Sequence, residues 1–177
     1  MANTYTLIAS STAGSGGVAN FTFSSIPQTY TDLQIVCSTK TNRGTFNNDA
    51  IFLNLNGSTS NITAKRLFGD GSSAASNTGR GILNNAAAST SVFSNTQIYI
   101  PNYTSANYKS ILADTVTENN ATEAYTQLHA QLWSDTAAVT SIVLAIESGT
   151  LFLEYSTAYL YGIKNSEQLR RNNAKPN

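Results

Sequence analysis

The feature that most constrains this fold is a period-two alternation of apolar and polar residues in short segments. The alternation recurs, for example, at residues 18–23, 32–38 and 127–133. Because successive side chains of a strand point to opposite faces, this pattern predicts half-buried β-strands rather than helices. About ten such segments follow one another at intervals of about 10–15 residues, and turn-forming pairs such as Asn56-Gly57 separate them.

Regular short strands with turns between them predict an all-β fold, either an antiparallel β-sandwich or a barrel. We expect about eight to ten strands within one domain, residues 1–164. The polar residues 39–50 are predicted to form a loop. Residues 69–91 are rich in Ser, Ala, Asn and Gly, and they are predicted to form an exposed loop with a short helix over residues 86–88.

The alternation also predicts which face of each strand is buried. In residues 127–133 the more apolar face consists of Leu128, Ala130 and Leu132, which we expect to point into the core. We expect the opposite face to point away from the core, and it consists of Gln127, His129, Gln131 and Trp133.

Composition limits the partners that such a domain can have. Charged residues make up 11% of the 177 residues and the formal net charge is zero, whereas an average domain has about 25% charged residues. Ser, Thr and Asn together supply about 36% of the chain, so the surface is built from neutral hydroxyls and amides. Neutrality argues against nucleic acid as the main partner, because phosphate binding depends on clustered Lys and Arg.

The sequence predicts a protein made in a reducing compartment and not inserted in a membrane. The N-terminus lacks a basic segment followed by a long apolar run, which a secretory signal would need. The longest apolar stretch, residues 139–146, is far shorter than the ~20 residues that span a bilayer. The single cysteine, Cys37, shares a strand face with Leu33 and Ile35 and is predicted to be buried.

The chemistry-bearing residues do not form a catalytic or metal-binding pattern. Only His129 could serve a Ser–His mechanism, and no G-x-S-x-G motif accompanies it. One His and one Cys cannot supply a zinc site. We therefore predict no enzyme, no cofactor and no metal site, although a cation in the oxygen-rich loops at Asp49 and Asp70 is left open. A glycosidase needs a pair of acids, and the sequence offers Asp114 with Glu118 and Glu147 with Glu154. Such pairs arise easily among ten acids, so they do not change the prediction of no enzyme.

Aromatic side chains are the remaining candidates for partner binding. Tyr99, Tyr103 and Tyr108 lie close together in sequence, and Trp133 lies on the more polar face of its segment. Such rings pack across strands or between subunits, and they also stack on sugars. Both interpretations stay open for Tyr103 and Trp133.

The C-terminal segment, residues 165–177, differs from the rest of the chain. With Lys164 it holds four cations and one anion, and its basic residues include Arg170, Arg171 and Lys175. With one large apolar side chain, it is predicted to be a flexible basic arm when alone in water. It is either a solubility tail or an arm that docks on a negatively charged neighbour.

Several segments resemble small virion proteins of tailed bacteriophages. Residues 26–33 (IPQTYTDL) carry the resemblance most strongly. The other matching segments, in order, are residues 4–11 (TYTLIASS), 55–58 (LNGS), 100–103 (IPNY) and 159–164 (YLYGIK). The resemblance implies a jelly-roll-like sandwich that decorates the capsid or belongs to the tail-fibre apparatus.

On this basis we expect a structural virion protein, most simply a capsid decoration (cement) protein on the capsid surface, made in the host bacterial cytoplasm. Its expected partners are the major capsid protein and copies of itself, as a dimer or trimer. Arg170, Arg171 and Lys175 would pair with capsid carboxylates. The alternative is a tail-fibre or receptor-binding module that holds host glycans near Tyr103 or Trp133.

Overall fold

The computed structural model describes residues 4–44, 46–87, 91–119 and 122–164. These residues form strands, turns and bends and contain no helix. The prediction of an all-β fold is therefore confirmed. The strands are β1 (Tyr5–Thr12), β2 (Asn20–Phe23), β3 (Asp32–Thr41), β4 (Asn48–Leu55), β5 (Ile62–Gly69), β6 (Ala74–Thr78), β7 (Ile82–Ala86), β8 (Ser94–Ile100), β9 (Lys109–Glu118), β10 (Ala124–Trp133), β11 (Ile142–Ile146) and β12 (Thr157–Ile163).

All these strands belong to one mixed sheet of twelve strands, which is more than the eight to ten expected. Its main path runs β2-β11-β4-β7-β3-β8-β9-β10-β5-β6, and β12 pairs with both β3 and β1. The described pairs are antiparallel except for β3 with β7, where Lys40 and Thr41 lie opposite Asn85 and Ala86 in parallel. The expectation of a purely antiparallel arrangement is corrected at this pair. Strand β3 is ten residues long, and its last two residues pair with β7 after its earlier part has paired with β8 and β12.

Two segments that were predicted to be loops contain strands. Residues 69–91 include β6 and β7, and Ala86 ends β7 instead of beginning a helix, while residue 88 lies outside the described residues. Residues 39–50 include the end of β3 and the start of β4. The reason is that buried polar side chains bond to one another here: Asn84 Oδ1 accepts a hydrogen bond from Ser94 Oγ at 2.7 Å. Polar composition therefore does not imply exposure in this part of the chain.

The buried apolar side chains form one core cluster. It draws on strands from both ends of the path, for example Phe21 of β2, Leu144 of β11 and Ile111 of β9. Phe21 and Phe152 lie with ring centroids 4.7 Å apart. Cys37 is 1% exposed, as predicted, and burial raises the pKa of its thiol to about 12.

Strand β7 contacts β9 and β10, although neither is its neighbour in the pairing order. The Thr115 hydroxyl donates to the Leu83 carbonyl oxygen at 3.0 Å, and the Asn85 amide donates to the Glu118 carbonyl oxygen at 3.1 Å. The sheet therefore bends until β7 lies against the inner side of β9 and β10. The opposite side of β9, β10 and β5 is left facing outward.

Candidate functional site

Strand β10 has its faces the other way round from the sequence-based expectation. Leu128 is 52% exposed, Leu132 is 37% exposed and Ala130 is also exposed. The buried face consists of the residues predicted to point outward, namely Gln127, His129, Gln131 and Trp133, each at most 3% exposed. The expectation that Leu128, Ala130 and Leu132 fill the core is therefore wrong.

Hydrogen bonds across the interior explain this reversal. The Leu83 N–H donates to Gln127 Oε1 at 2.9 Å, and Gln127 Nε2 donates to the Gly81 carbonyl oxygen at 3.3 Å. His129 Nε2 lies 3.1 Å from the Gly79 carbonyl oxygen. Buried backbone groups of the segment before and within β7 need partners, and these side chains supply them. Because side-chain direction alternates, placing them inward places the leucines of β10 outward.

The outward side chains of β5, β9 and β10 form what we call the leucine face. Register places Leu128 opposite Leu67, and Leu112 opposite Ala130. Directly opposed side chains on antiparallel strands have Cβ atoms about 4.5–5.5 Å apart, so these residues form one continuous patch. The leucine face consists of Leu67, Leu112, Val116, Leu128 and Leu132, which are 37–53% exposed.

Two charged side chains lie beside this apolar patch. Lys65 is opposite Ala130, and Asp114 is opposite Leu128 on the other side of β10. Both are exposed, and neither forms a hydrogen bond or ion pair with another residue in the described ranges. A groove with a volume of about 400 Å³ lies beside Lys65 and Leu132.

This arrangement can bind a partner. Covering the exposed half of a leucine or valine contributes roughly 1 kcal/mol, so the five side chains offer about 5 kcal/mol before the cost of association. Contiguous exposed apolar patches on soluble domains mark interaction sites more often than single exposed side chains do. The leucine face does not follow from the sequence-based expectation, because the alternation of β10 alone indicates that Leu128, Ala130 and Leu132 point inward.

The two rings proposed as partner contacts lie in the interior. Tyr103 is 0% exposed and its hydroxyl donates to the Pro27 carbonyl oxygen, while Trp133 is 1% exposed. Neither ring can stack on a sugar from these positions, so packing in the core replaces the surface role expected for them. The other predicted contacts, Arg170, Arg171 and Lys175, lie outside the described residues.

A buried cation, Lys109, lies beside the Trp133 indole. Its Nζ donates to three carbonyl oxygens, those of Ser105, Asn107 and Ala137, at 2.6, 2.7 and 2.7 Å. The same ammonium lies 5.5 Å from the centroid of the Trp133 ring. Burial lowers the Lys109 pKa. Lys109 therefore ties together two loops at one end of β9 and β10.

Two of the candidate acids, Asp49 and Asp70, and the single His are held by structural hydrogen bonds. The Asp70 carboxylate accepts bonds from the amides and hydroxyls of Ser72 and Ser73, and these lower its pKa to about 2. Asp49 accepts bonds from the Thr41 hydroxyl and from backbone amides, including that of Gly149. Burial lowers the His129 pKa. Within the described parts of the chain, no three His, Cys, Asp or Glu side chains gather as metal ligands would.

Comparison with protein-family models, curated proteins and solved structures gives no match to this chain. Among the described residues there is also no helix with the length and apolar character that a membrane crossing needs.

Proposed function

We propose that this protein is a structural virion protein of a tailed bacteriophage, a capsid decoration protein that binds the major capsid shell and copies of itself. The observation that supports this most is the leucine face, an apolar binding surface on a hydrogen-bonded β framework. Asp49 accepts a hydrogen bond from the Thr41 hydroxyl, and His129 lies buried with its Nε2 3.1 Å from the Gly79 carbonyl oxygen, so neither side chain is exposed to a substrate. A protein of this kind acts by adhering.

We further infer that the mixed sheet closes on itself as a jelly-roll-like sandwich. Two observations support it: the core cluster combines side chains from distant strands, and β7 bonds to β9 and β10 across the interior. Closing a sheet in this way also reduces the number of exposed strand edges, which suits a protein on a particle surface.

The attachment to the shell would be shared between apolar contact and the basic arm. Arg170, Arg171 and Lys175 would pair with carboxylates of the major capsid protein. An exposed ion pair contributes less than about 1 kcal/mol. Such weak contacts become effective when several act together. Once one contact holds a copy on the shell, its other binding groups lie at high local concentration beside their partners and bind more readily.

The tail-fibre alternative has less support. It was based on a sugar-stacking groove near Tyr103 or Trp133, and both rings are buried.

Quantitative mass spectrometry of purified virions tests the proposal directly. We expect hundreds of copies per particle, on the capsid. A few to a few dozen copies would favour the tail-fibre role, and absence from the particle would overturn the virion role altogether. Truncation after Lys164 tests the arm separately: undiminished capsid occupancy would remove Arg170, Arg171 and Lys175 from the attachment.

A further inference from the structure

We infer that the leucine face is the contact between two copies of this chain, packed face to face about a two-fold axis that crosses β10. The inference rests on the self-association included in the proposed function and names the surface that forms it, while the copy number in purified virions tests the virion role separately.

The two charged residues beside the leucine face, one positive and one negative, can pair with those of a second copy. Lys65 and Asp114 lie on opposite sides of β10, two strand spacings apart and displaced by two residues along the strands. Their Cα atoms are therefore about 12 Å apart, and the apolar centre lies between them. A two-fold rotation that sets Lys65 over Asp114 of the second copy also sets Asp114 over Lys65 of that copy. Both charges lack a partner among the described residues, and the pairing supplies one to each.

The same rotation brings apolar side chains together. In face-to-face packing the axis lies in the plane of the interface, and it runs between Lys65 and Asp114. Four apolar residues lie close to it: Leu128 and Ala130 on β10, and Leu67 and Leu112 on the neighbouring strands. These side chains would meet their counterparts around the axis, where water is most fully excluded. The groove beside Leu132 gives the surface a recess that can receive a protruding side chain of the second copy.

The available area is sufficient for a stable pair. The leucine face covers β9, β10 and β5, and the same outward surface continues over the flanking strands β8 and β6, so five strands are available around the axis. Five strands at about 4.8 Å spacing and eight residues at about 3.4 Å rise give about 24 by 27 Å, or about 650 Å² in projection. Because side chains protrude from the sheet, the solvent-accessible area of this surface is larger than its projected area, and it approaches the ≈ 800 Å² per partner of a standard interface. Leu7 of β1 lies outside this area, five strands from β10.

Sedimentation equilibrium of the full chain tests the pairing. From about 1 to about 100 µM we expect a reversible dimer. Leu128→Glu buries a charge at the axis and should weaken the dimer at least about tenfold. Leu7→Glu is the matched control, since Leu7 is 51% exposed, close to the 52% of Leu128, and it should leave the dimer constant unchanged. Circular dichroism confirms that each variant is folded.

Charge reversal tests the geometry. Lys65→Glu and Asp114→Lys each replace two attractive contacts by repulsive ones, and each should weaken the dimer about fivefold. The double variant restores both contacts and should return the dimer constant to within about twofold of the parent chain. A parent chain that stays monomeric over the whole range would overturn the inference and leave the face to a foreign partner. Equal loss in Leu7→Glu and Leu128→Glu, or no recovery in the double variant, would overturn the proposed arrangement.

Discussion

The reversed orientation of β10 makes a sharp prediction for two leucines of equal size. Leu128 is 52% exposed, whereas Leu144 in β11 is 0% exposed and lies between Phe21 and Leu53 in the sheet. Truncation of a buried leucine to alanine costs about 2–5 kcal/mol, because transfer energy is lost and a cavity is left. At Leu128 only about half of the side chain is covered and the space opens to water, so the loss stays below about 1 kcal/mol.

The assay is urea unfolding of Leu128→Ala and Leu144→Ala, followed by the fluorescence of the single tryptophan, Trp133, which is 1% exposed. Low protein concentration keeps association through the leucine face out of the measurement. A sequence-based orientation, with Leu128 in the core, predicts similar losses for both variants. If Leu128→Ala proves as destabilising as Leu144→Ala, β10 does not have the orientation described here and the leucine face is not on the surface.

Three further predictions concern buried polar groups. The Cys37 thiol, with a pKa of about 12, should react with a thiol reagent at pH 8 far more slowly in the native than in the urea-unfolded chain, and equal labelling rates would contradict its burial. Because the thiol keeps its proton to a higher pH in the folded than in the unfolded state, this group should lower the unfolding free energy as pH rises from about 9 to 12. Because the His129 pKa is lowered in the folded state, the unfolded state binds more protons at this group below about pH 6.5, so the unfolding free energy should fall from pH 7 to pH 5. The His129→Gln variant should lose the part of this fall that comes from the imidazole, and an unchanged dependence of the unfolding free energy on pH would refute the lowered pKa. Lys109→Met removes the donor to three carbonyl oxygens and should cost about 2–4 kcal/mol in urea unfolding, whereas Lys65→Met in the monomer should change stability by less than about 0.5 kcal/mol.

Alternation predicts a strand and its two faces, but not always which face is inward. Within β9, the alternation of apolar and polar residues places Ile111, Ala113 and Thr115 on one face, and that face is buried. For β3, Cys37 is buried as predicted. In both strands the inward face carries apolar side chains of the core cluster, so local pattern and tertiary packing agree there.

Strands β6, β7 and β10 show where local pattern fails. Strand β6 is exposed along its whole length and has no apolar face to detect. Strand β7 is short, and its buried Asn84 and Asn85 bond to Thr39 and Glu118, which are more than thirty residues away in sequence. In β10 the partners of Gln127 and His129 lie more than forty residues away. A window of neighbouring residues contains none of these partners. In such a window a buried strand of polar residues has the same pattern as a loop, and a buried, hydrogen-bonded amide side chain has the same pattern as a surface residue.

The reversal of β10 links the interior to the outer surface. Because Gln127 and His129 must face inward to satisfy the backbone around β7, the outward positions of β10 make a smaller contribution to the stability of a single chain. Polar residues there would cost that chain little, yet Leu128 and Leu132 occupy them. Their apolar surface stabilises the folded state only when something covers it. If a second copy covers this surface, the urea midpoint should rise with protein concentration, because only the folded chain associates. Leu128→Glu should displace this rise to protein concentrations at least about tenfold higher, while leaving the midpoint at high dilution nearly unchanged. A rise at the same concentrations as in the parent chain would show that association uses another surface.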